Sequence, residues 1–200
     1  MRSRALGLVM GLVLLGAGSA HAQVVWDSPM MMPPNAQRGL GLFLTDPASG
    51  NLGVLGTWRS GGAPNNLGFR IGLAEDRRDD VTIFGGIDIA GRLTRASSDF
   101  PLDIDWVFGA GASIGDFFWL AFPVGISVGH TFTGDGVRFT PYATPRVILD
   151  ARFGDRWRGD KLDLDVAVDL GLDLQFQPGW AIRFGGTLGD REAVAIGVVF

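Results

Sequence analysis

Few residues in this chain could carry out acid–base or nucleophilic chemistry. The sequence has no cysteine and two histidines, of which His21 belongs to an N-terminal leader. A hydrolytic site needs a nucleophile, a base and an orienting acid within reach of one another. His130 lies near the Thr133–Gly136 turn. Its position in the alternation predicts an outward side chain, on the face opposite to the Ser and Asp side chains. We therefore expect no catalytic residues and no enzymatic activity.

The acidic and glycine-rich stretches do not have the pattern of cofactor sites. The loop Glu75–Asp80 (EDRRDD) and the turn Gly134–Gly136 lack the spacing of a calcium-binding loop. The glycine runs lie inside alternating segments, without the following helix that a nucleotide-binding loop requires. The sequence therefore predicts solvated loops, no metal ligands and no cofactor. Its formal net charge of −4 also argues against a nucleic-acid partner.

The stretch Leu162–Phe176 is the most regular element of the chain. Every even-numbered residue in it is apolar, and Asp163, Asp165, Asp169 and Asp173 lie between them. A period of two predicts a β-strand with one apolar and one polar face. This strand would be roughly 50 Å long, whereas a tilted strand crosses a bilayer with about 9–11 residues. We interpret its apolar face as lipid-facing.

The same alternation recurs from Arg38 to the C-terminus and predicts ten strands. We therefore expect an all-β fold, an antiparallel up-and-down transmembrane β-barrel. Eight strands are the alternative, if the two short first strands lie outside the barrel. Pro141 and Pro145 cannot donate to a ladder, so we expect a bulge or a break in their strand. The Gly134-Asp135-Gly136 sequence predicts a hairpin turn.

The polar face distinguishes this barrel from a soluble β-sandwich, which also alternates. A soluble sheet presents long charged side chains to water, but Lys161 is the single lysine of the sequence. Small residues dominate the polar face instead, and they suit the crowded interior of a narrow barrel. The glycines on this face are Gly41, Gly53, Gly68, Gly72, Gly109, Gly111, Gly125, Gly129 and Gly171.

Charged residues on the same face predict a network inside the lumen. A hairpin turning within residues 151–160 would set Arg146 opposite Asp165 and Arg138 opposite Asp173. The turn at Pro178-Gly179 would set Arg183 across from Asp173 on its other side. Opposite charges at these positions would compensate each other. The alternative is that they line a hydrated channel without specific pairing.

The N-terminus has the features of a secretory signal peptide. Arg2 and Arg4 precede an apolar core, and Ala20-His21-Ala22 is a small-x-small cleavage site. We expect cleavage after Ala22, so that residues 1–22 are the signal peptide, 23–37 an N-terminal extension and 38–200 the barrel domain. The extension is either a flexible periplasmic lead-in or a plug. In the plug, Trp26 and Met30–Met32 would enter the barrel mouth, because methionines fill irregular gaps well.

The last strand alternates through Val194, Ile196 and Val198 to a C-terminal Phe200. This ending resembles the C-terminal signature of bacterial outer-membrane β-barrel proteins. The resemblance implies a location in the cell outer membrane, with outer-membrane lipid and the barrel-assembly machinery as partners and Phe200 as the assembly signal. It also implies that both termini face the periplasm. The short loops 76–80 and 151–160 argue against an adhesin or a surface receptor.

Two functions are consistent with these patterns. The first is an integral outer-membrane protein, structural or a narrow conduit, whose lumen is largely filled by small and paired charged side chains. The second is a soluble periplasmic barrel or sandwich that binds an apolar ligand, with its apolar face turned inward. Extraction from membranes would separate the two.

Overall fold

A computed structural model of the chain describes residues 26–47, 52–61, 65–75, 81–114, 118–153, 161–177 and 179–200. The predicted signal peptide, most of the EDRRDD loop and Pro178 lie outside these residues. Within them, no helix is long and apolar enough to span a membrane. The strands are β1 (Gly39–Pro47), β2 (Gly53–Arg59), β3 (Asn65–Glu75), β4 (Val81–Thr94), β5 (Asp103–Ile114), β6 (Phe118–Gly129), β7 (Phe132–Gly134), β8 (Val137–Phe153), β9 (Lys161–Gln177), β10 (Trp180–Gly189) and β11 (Ala193–Val199).

The strands form one closed antiparallel barrel. Neighbours in the chain are neighbours in the sheet, and the ring is closed by pairing of β1 with β11 and of β6 with β8. The short β7 continues β6 after a break at His130 and Thr131, and it pairs only with β8. Ten strands therefore make the ring, which confirms the predicted barrel and excludes the eight-stranded alternative.

Alternation along each strand separates an exposed apolar face from a buried polar one. Burial alternates at every residue of β3, with Ile71 66% exposed and its neighbour Arg70 4% exposed. The long strand β9 turns Leu162, Leu164 and Leu170 outward. The apolar face thus points away from the barrel axis, and the alternative with this face turned inward is wrong.

The expected bulge or break at the prolines of β8 is wrong. β8 and β9 pair in a single register from Arg138 opposite Gln175 to Arg152 opposite Lys161. The pairs on either side of Pro145, which are Gly125 with Arg146 and Val128 with Ala143, also keep one register. Proline lacks an N–H donor, and its effect is limited to missing pairs on the β6 side.

The barrel has two distinct ends. At one end, here called the lower rim, Gly39 begins β1 and Val199 ends β11. The turn Asp135-Gly136 also lies at the lower rim, with φ of 49° and 79°, which matches a two-residue hairpin of the predicted Asp-Gly type. The opposite end, the upper rim, carries the turn between β10 and β11 that contains Arg191.

Candidate functional site

Residues 26–36, here called the plug, occupy the lumen. Trp26, Met30, Met31 and Met32 are each at most 2% exposed and pack against inward side chains of the barrel. Ala36 lies beside Asn66 at the lower rim, and Asp27 reaches Arg191 at the upper rim. The plug interpretation is therefore right for these residues, and the lead-in interpretation is wrong. Residues 23–25 lie outside the described residues.

Arginines of the barrel wall bind the main chain of the plug. Three inward guanidinium groups each donate a hydrogen bond to a plug carbonyl, and each is at most 5% exposed. Hydrogen bonds to charged donors are stronger than those between neutral groups. The bonds are Arg146 Nη1 to Trp26 O, Arg70 Nη2 to Met30 O and Arg183 Nη1 to Met31 O, each at 2.7 Å.

Other wall residues satisfy further plug groups. Asp169 and Asp105 accept hydrogen bonds from plug amides, and Ser127 and Asn66 donate to plug carbonyls. A buried main-chain group without a partner is costly, so these contacts allow an irregular segment to stay inside a barrel. The bonds are Met30 N to Asp169 Oδ2 at 2.8 Å, Asn35 N to Asp105 Oδ2 at 2.9 Å, Ser127 Oγ to Met32 O at 2.6 Å and Asn66 Nδ2 to Ala36 O at 2.6 Å.

Inward glycines make room for the plug. A Cβ atom at Gly109 would lie 2.6 Å from the Trp26 ring, and one at Gly185 would lie 2.5 Å from the Met31 sulfur. Such distances leave no space for a side chain. The small residues that the sequence placed on the inner face therefore serve a purpose that the alternation did not reveal, because they accommodate a second layer of chain.

Arg183 and Asp173 lie directly opposite each other on β10 and β9. The guanidinium donates two hydrogen bonds to the carboxylate, at 2.5 Å and 2.8 Å. This bidentate geometry is the strongest form of the contact. Arg183 also donates to the plug, so the ion pair orients the guanidinium toward the Met31 carbonyl.

The predicted register of β8 against β9 is wrong by two residues. Arg146 lies opposite Ala167 rather than Asp165, and Arg138 lies opposite Gln175 rather than Asp173. The observed pairs are centred one residue later in the chain than the predicted pairs, and moving the centre of a hairpin by one residue moves its register by two. A shift of two keeps the parity, so these side chains still face inward. Arg146 pairs instead with Asp169 at 3.0 Å, both nearly fully buried, and Arg138 is exposed at the lower rim.

Arg191 gathers three carboxylates at the upper rim. Its Nη1 lies 2.9 Å from Asp27 of the plug, its Nε 3.0 Å from Asp165, and its Nη2 contacts Asp150. Burial alone would lower the pKa of Arg191, but the three carboxylates together outweigh it and raise that pKa. Arg191 lies in a turn, where no alternation assigns a face, so this cluster could not be predicted from the sequence. Asp165 thus belongs to a charge cluster, although with a different partner from the one predicted.

Arg59, Asp88 and Arg70 are further buried charged residues of the lumen. Arg59 and Asp88 form a buried pair at 2.5 Å. Arg70 lies 3.8 Å above the centre of the Trp26 ring, and no described carboxylate forms an ion pair with it. The alternation within each strand predicts that these three side chains face inward. Their partners could not be predicted in the same way, because they lie on other strands.

His130 and Phe200 both lie at the lower rim. His130 packs edge-on against the Phe132 ring, with ring centres 4.6 Å apart, and its Nδ1 makes no hydrogen bond within the described part of the chain. Phe200 is 53% exposed. Its main chain exchanges two hydrogen bonds with Leu40, at 2.7 Å and 2.8 Å, and so extends the seam between β1 and β11.

Comparisons with known proteins match structures but not sequences. No family model and no curated protein matches the chain. A bacterial polysaccharide outer membrane secretin is similar at 8% identity and a TM-score of 0.44, covering 75% of this chain and 55% of that one. This chain thus spans about half the length of that secretin chain. A KdgM porin is similar at 7% identity and a TM-score of 0.42, covering 81% and 98%. A de novo designed transmembrane β-barrel is similar at 11% identity and a TM-score of 0.38, covering 84% and 98%.

Proposed function

We propose that this chain is an integral outer-membrane β-barrel protein, structural or a narrow conduit, whose lumen is closed by its own N-terminal plug. The observation that carries the proposal is the exposed apolar face on the outside of the ring. Soluble monomers rarely expose contiguous apolar patches larger than a few hundred Å². Here, outward Leu, Ile, Val and Phe side chains are exposed on strands all around the barrel. A bilayer would cover this surface.

Aromatic residues support the same placement. Outward aromatic pairs cluster toward the lower rim, and one pair lies at the upper rim. Aromatic side chains concentrate where a barrel crosses the two membrane interfaces. The pairs at the lower rim are Trp58 with Phe69, Phe132 with Phe139 and Phe176 with Trp180, and the pair at the upper rim is Phe118 with Phe153.

The contents of the lumen support a closed and non-catalytic barrel. The interior holds the plug, buried ion pairs and small residues, which favours a filled lumen over a cavity for an apolar ligand. Two recesses, of about 100 and 440 Å³, flank plug residue Asn35 at the lower rim. His130 contacts a phenylalanine ring on the outer side, where it has no role in a lumen-based reaction.

Export, cleavage after Ala22 and assembly through Phe200 belong to the same proposal. The two shortest connections, between β7 and β8 and between β9 and β10, lie at the lower rim together with the start of β1 and the end of β11, and outer-membrane barrels place short turns in the periplasm. This supports a lower rim that faces the periplasm. The proposed partners are outer-membrane lipid and the barrel-assembly machinery.

Membrane fractionation tests the proposal. The exported protein should remain with the outer-membrane fraction through a carbonate wash, while a soluble periplasmic protein in the same cells is released. The purified barrel should require detergent and, with the plug in place, show little conductance in planar bilayers. A monomer that is stable in buffer without detergent would contradict the proposal.

A further inference from the structure

Arg70 is a buried cation whose described contacts come mainly from the plug. Its side chain lies in the middle of the lumen on β3, where the residue is 4% exposed. The guanidinium donates to the Met30 carbonyl at 2.7 Å and stacks over the Trp26 ring at 3.8 Å. Its Nε and Nη1 make no hydrogen bond within the described residues. The group therefore has donors to spare and points them into the lumen.

The charged groups around Arg70 leave it as a surplus positive charge. Arg59 pairs with Asp88, and Arg146 pairs with Asp169. When the plug and its Asp27 leave, three positive and three negative side chains remain near the upper rim, so the charges there balance. They are Arg152, Lys161 and Arg191 with Asp150, Asp163 and Asp165. A buried charge is costly unless it is compensated. The plug compensates Arg70 with a carbonyl dipole and a ring face, and an anion would do so better.

Among the described residues, every hydrogen bond between the barrel wall and the plug comes from a wall side chain. Seven wall-to-plug hydrogen bonds reach its main chain, through Arg70, Arg146, Arg183, Asp169, Asp105, Ser127 and Asn66. None of these contacts extends the β-ladder, so the ring of strands can remain closed when the plug leaves. Met31 and Asn35 have φ of 56° and 61°, a left-handed conformation that disfavours Met31 in particular.

We propose, resting on the proposed function, that residues 26–36 are a displaceable plug and that the vacated lumen passes small anions, with Arg70 as their binding residue. The space that the plug leaves is wide enough for a chain bearing tryptophan and methionine side chains. Water fills it on displacement and solvates the paired charges. The unpaired guanidinium of Arg70 then attracts inorganic anions or carboxylates.

Deletion of residues 26–36 tests the conduit. The deletion variant, inserted in planar bilayers under a KCl gradient, should conduct steadily where the full chain is closed. Its reversal potential should lie closer to the equilibrium potential of chloride than to that of potassium. Insertion is verified separately by heat-shifted mobility on gels, so failure of the inference is distinguished from failure of the membrane proposal. An inserted deletion variant that does not conduct, or that favours potassium, would overturn the inference.

Arg70 is tested within the deletion variant. Arg70→Ala should move the reversal potential toward zero. Arg70→Glu should move it past zero toward the equilibrium potential of potassium. Arg138→Ala is the matched control, since it removes a positive charge from the exposed lower rim and should change selectivity much less. Equal effects of Arg70→Ala and Arg138→Ala would show that total charge, rather than Arg70, sets the preference.

A disulfide latch tests displacement in the full-length chain, in case the deletion variant fails to fold. A Cβ atom at Gly185 would lie 3.1 Å from that of Pro29, close to the range for a disulfide, and the chain has no native cysteine. Because the Met31 sulfur would lie 2.5 Å from a Cβ atom at position 185, the latch also needs Met31→Ala to make room. The triple variant P29C/M31A/G185C should show voltage-induced openings when reduced and lose them when oxidised. The same openings in both states, or none in the reduced state at any voltage, would overturn the proposal that the plug is displaced.

Discussion

Asp169 illustrates how a single buried carboxylate joins the barrel wall to the plug. It forms an ion pair with Arg146, accepts a hydrogen bond from Thr187 Oγ1 at 2.7 Å and accepts another from the Met30 amide. Both of its carboxylate oxygens therefore have partners within the lumen, where the residue is 1% exposed. Such a charge is stabilising only while its partners stay in place.

We expect Asp169→Asn to destabilise the barrel strongly. The substitution leaves Arg146 buried without its counter-charge, a change that costs about 3–5 kcal/mol in comparable sites. Asp163→Asn is the control, because Asp163 lies near the upper rim with its side chain 26% exposed, and of its partners Arg152 and Lys161 the second is half exposed. It should cost clearly less than Asp169→Asn, since ion pairs open to solvent contribute about 0–1 kcal/mol. Urea unfolding in lipid vesicles measures both. Similar losses for the two variants would contradict the assignment of Asp169 to a dry lumen.

A substitution at Leu170 tests whether the outward face of the barrel contacts lipid. It lies on the apolar side of β9 and is 49% exposed. Leu170→Arg should cost about 2–4 kcal/mol if the residue faces the bilayer interior. Leu162→Arg, near the upper end of the same strand, should cost about 0–1 kcal/mol because the interface tolerates charge. Unfolding free energies in vesicles give the comparison, and a neutral Leu170→Arg would count against a lipid-facing surface.

At the scale of elements, the plug is defined by its burial in a folded barrel. Met30→Cys introduces the sole thiol of the chain at a position 1% exposed. We expect a maleimide to label it only after unfolding in urea. Gln37→Cys lies just outside the plug and is exposed, so it should be labelled in both states. Rapid labelling of Met30→Cys in the folded protein would place the segment outside the lumen.

The last strand carries both the seam and the expected assembly signal. Phe200 contributes main-chain hydrogen bonds to Leu40 and an exposed ring. Deletion of Phe200 should lower the amount of assembled barrel in the outer membrane. Phe200→Ala keeps the main-chain bonds and should be equally impaired if the ring is the signal, while Phe200→Tyr should assemble. Folded barrel in normal amounts from Phe200→Ala would assign the defect to the seam instead.

At the scale of the whole molecule, closure of the ring determines stability. Every strand of the ten-membered ring has two neighbours, so the described barrel has no free edge along its main ladder. A closed ladder of this kind resists unfolding because no strand can separate alone. We expect unheated protein in SDS to migrate faster than heated protein. Identical mobility before and after heating would contradict a closed, detergent-resistant barrel.

The sequence by itself determined which side chains face outward, and it predicted ten strands while leaving eight as the alternative. Parity within a strand is local, since side chains two residues apart share a face whatever the strand pairs with. The outward leucines of β9 and the inward Arg146 and Asp173 could therefore be read directly. For the same reason the error of two residues in the β8–β9 register left every inward assignment intact.

Only the tertiary structure decided which charges meet and what fills the lumen. Partners such as Arg146 and Asp169 depend on the length of a hairpin, and Arg191 meets Asp27 only because the chain folds back through the ring. The plug has no period from which its position could be read. Its place follows from a space that exists only once all ten strands have closed, lined by glycines and arginines contributed from distant parts of the chain.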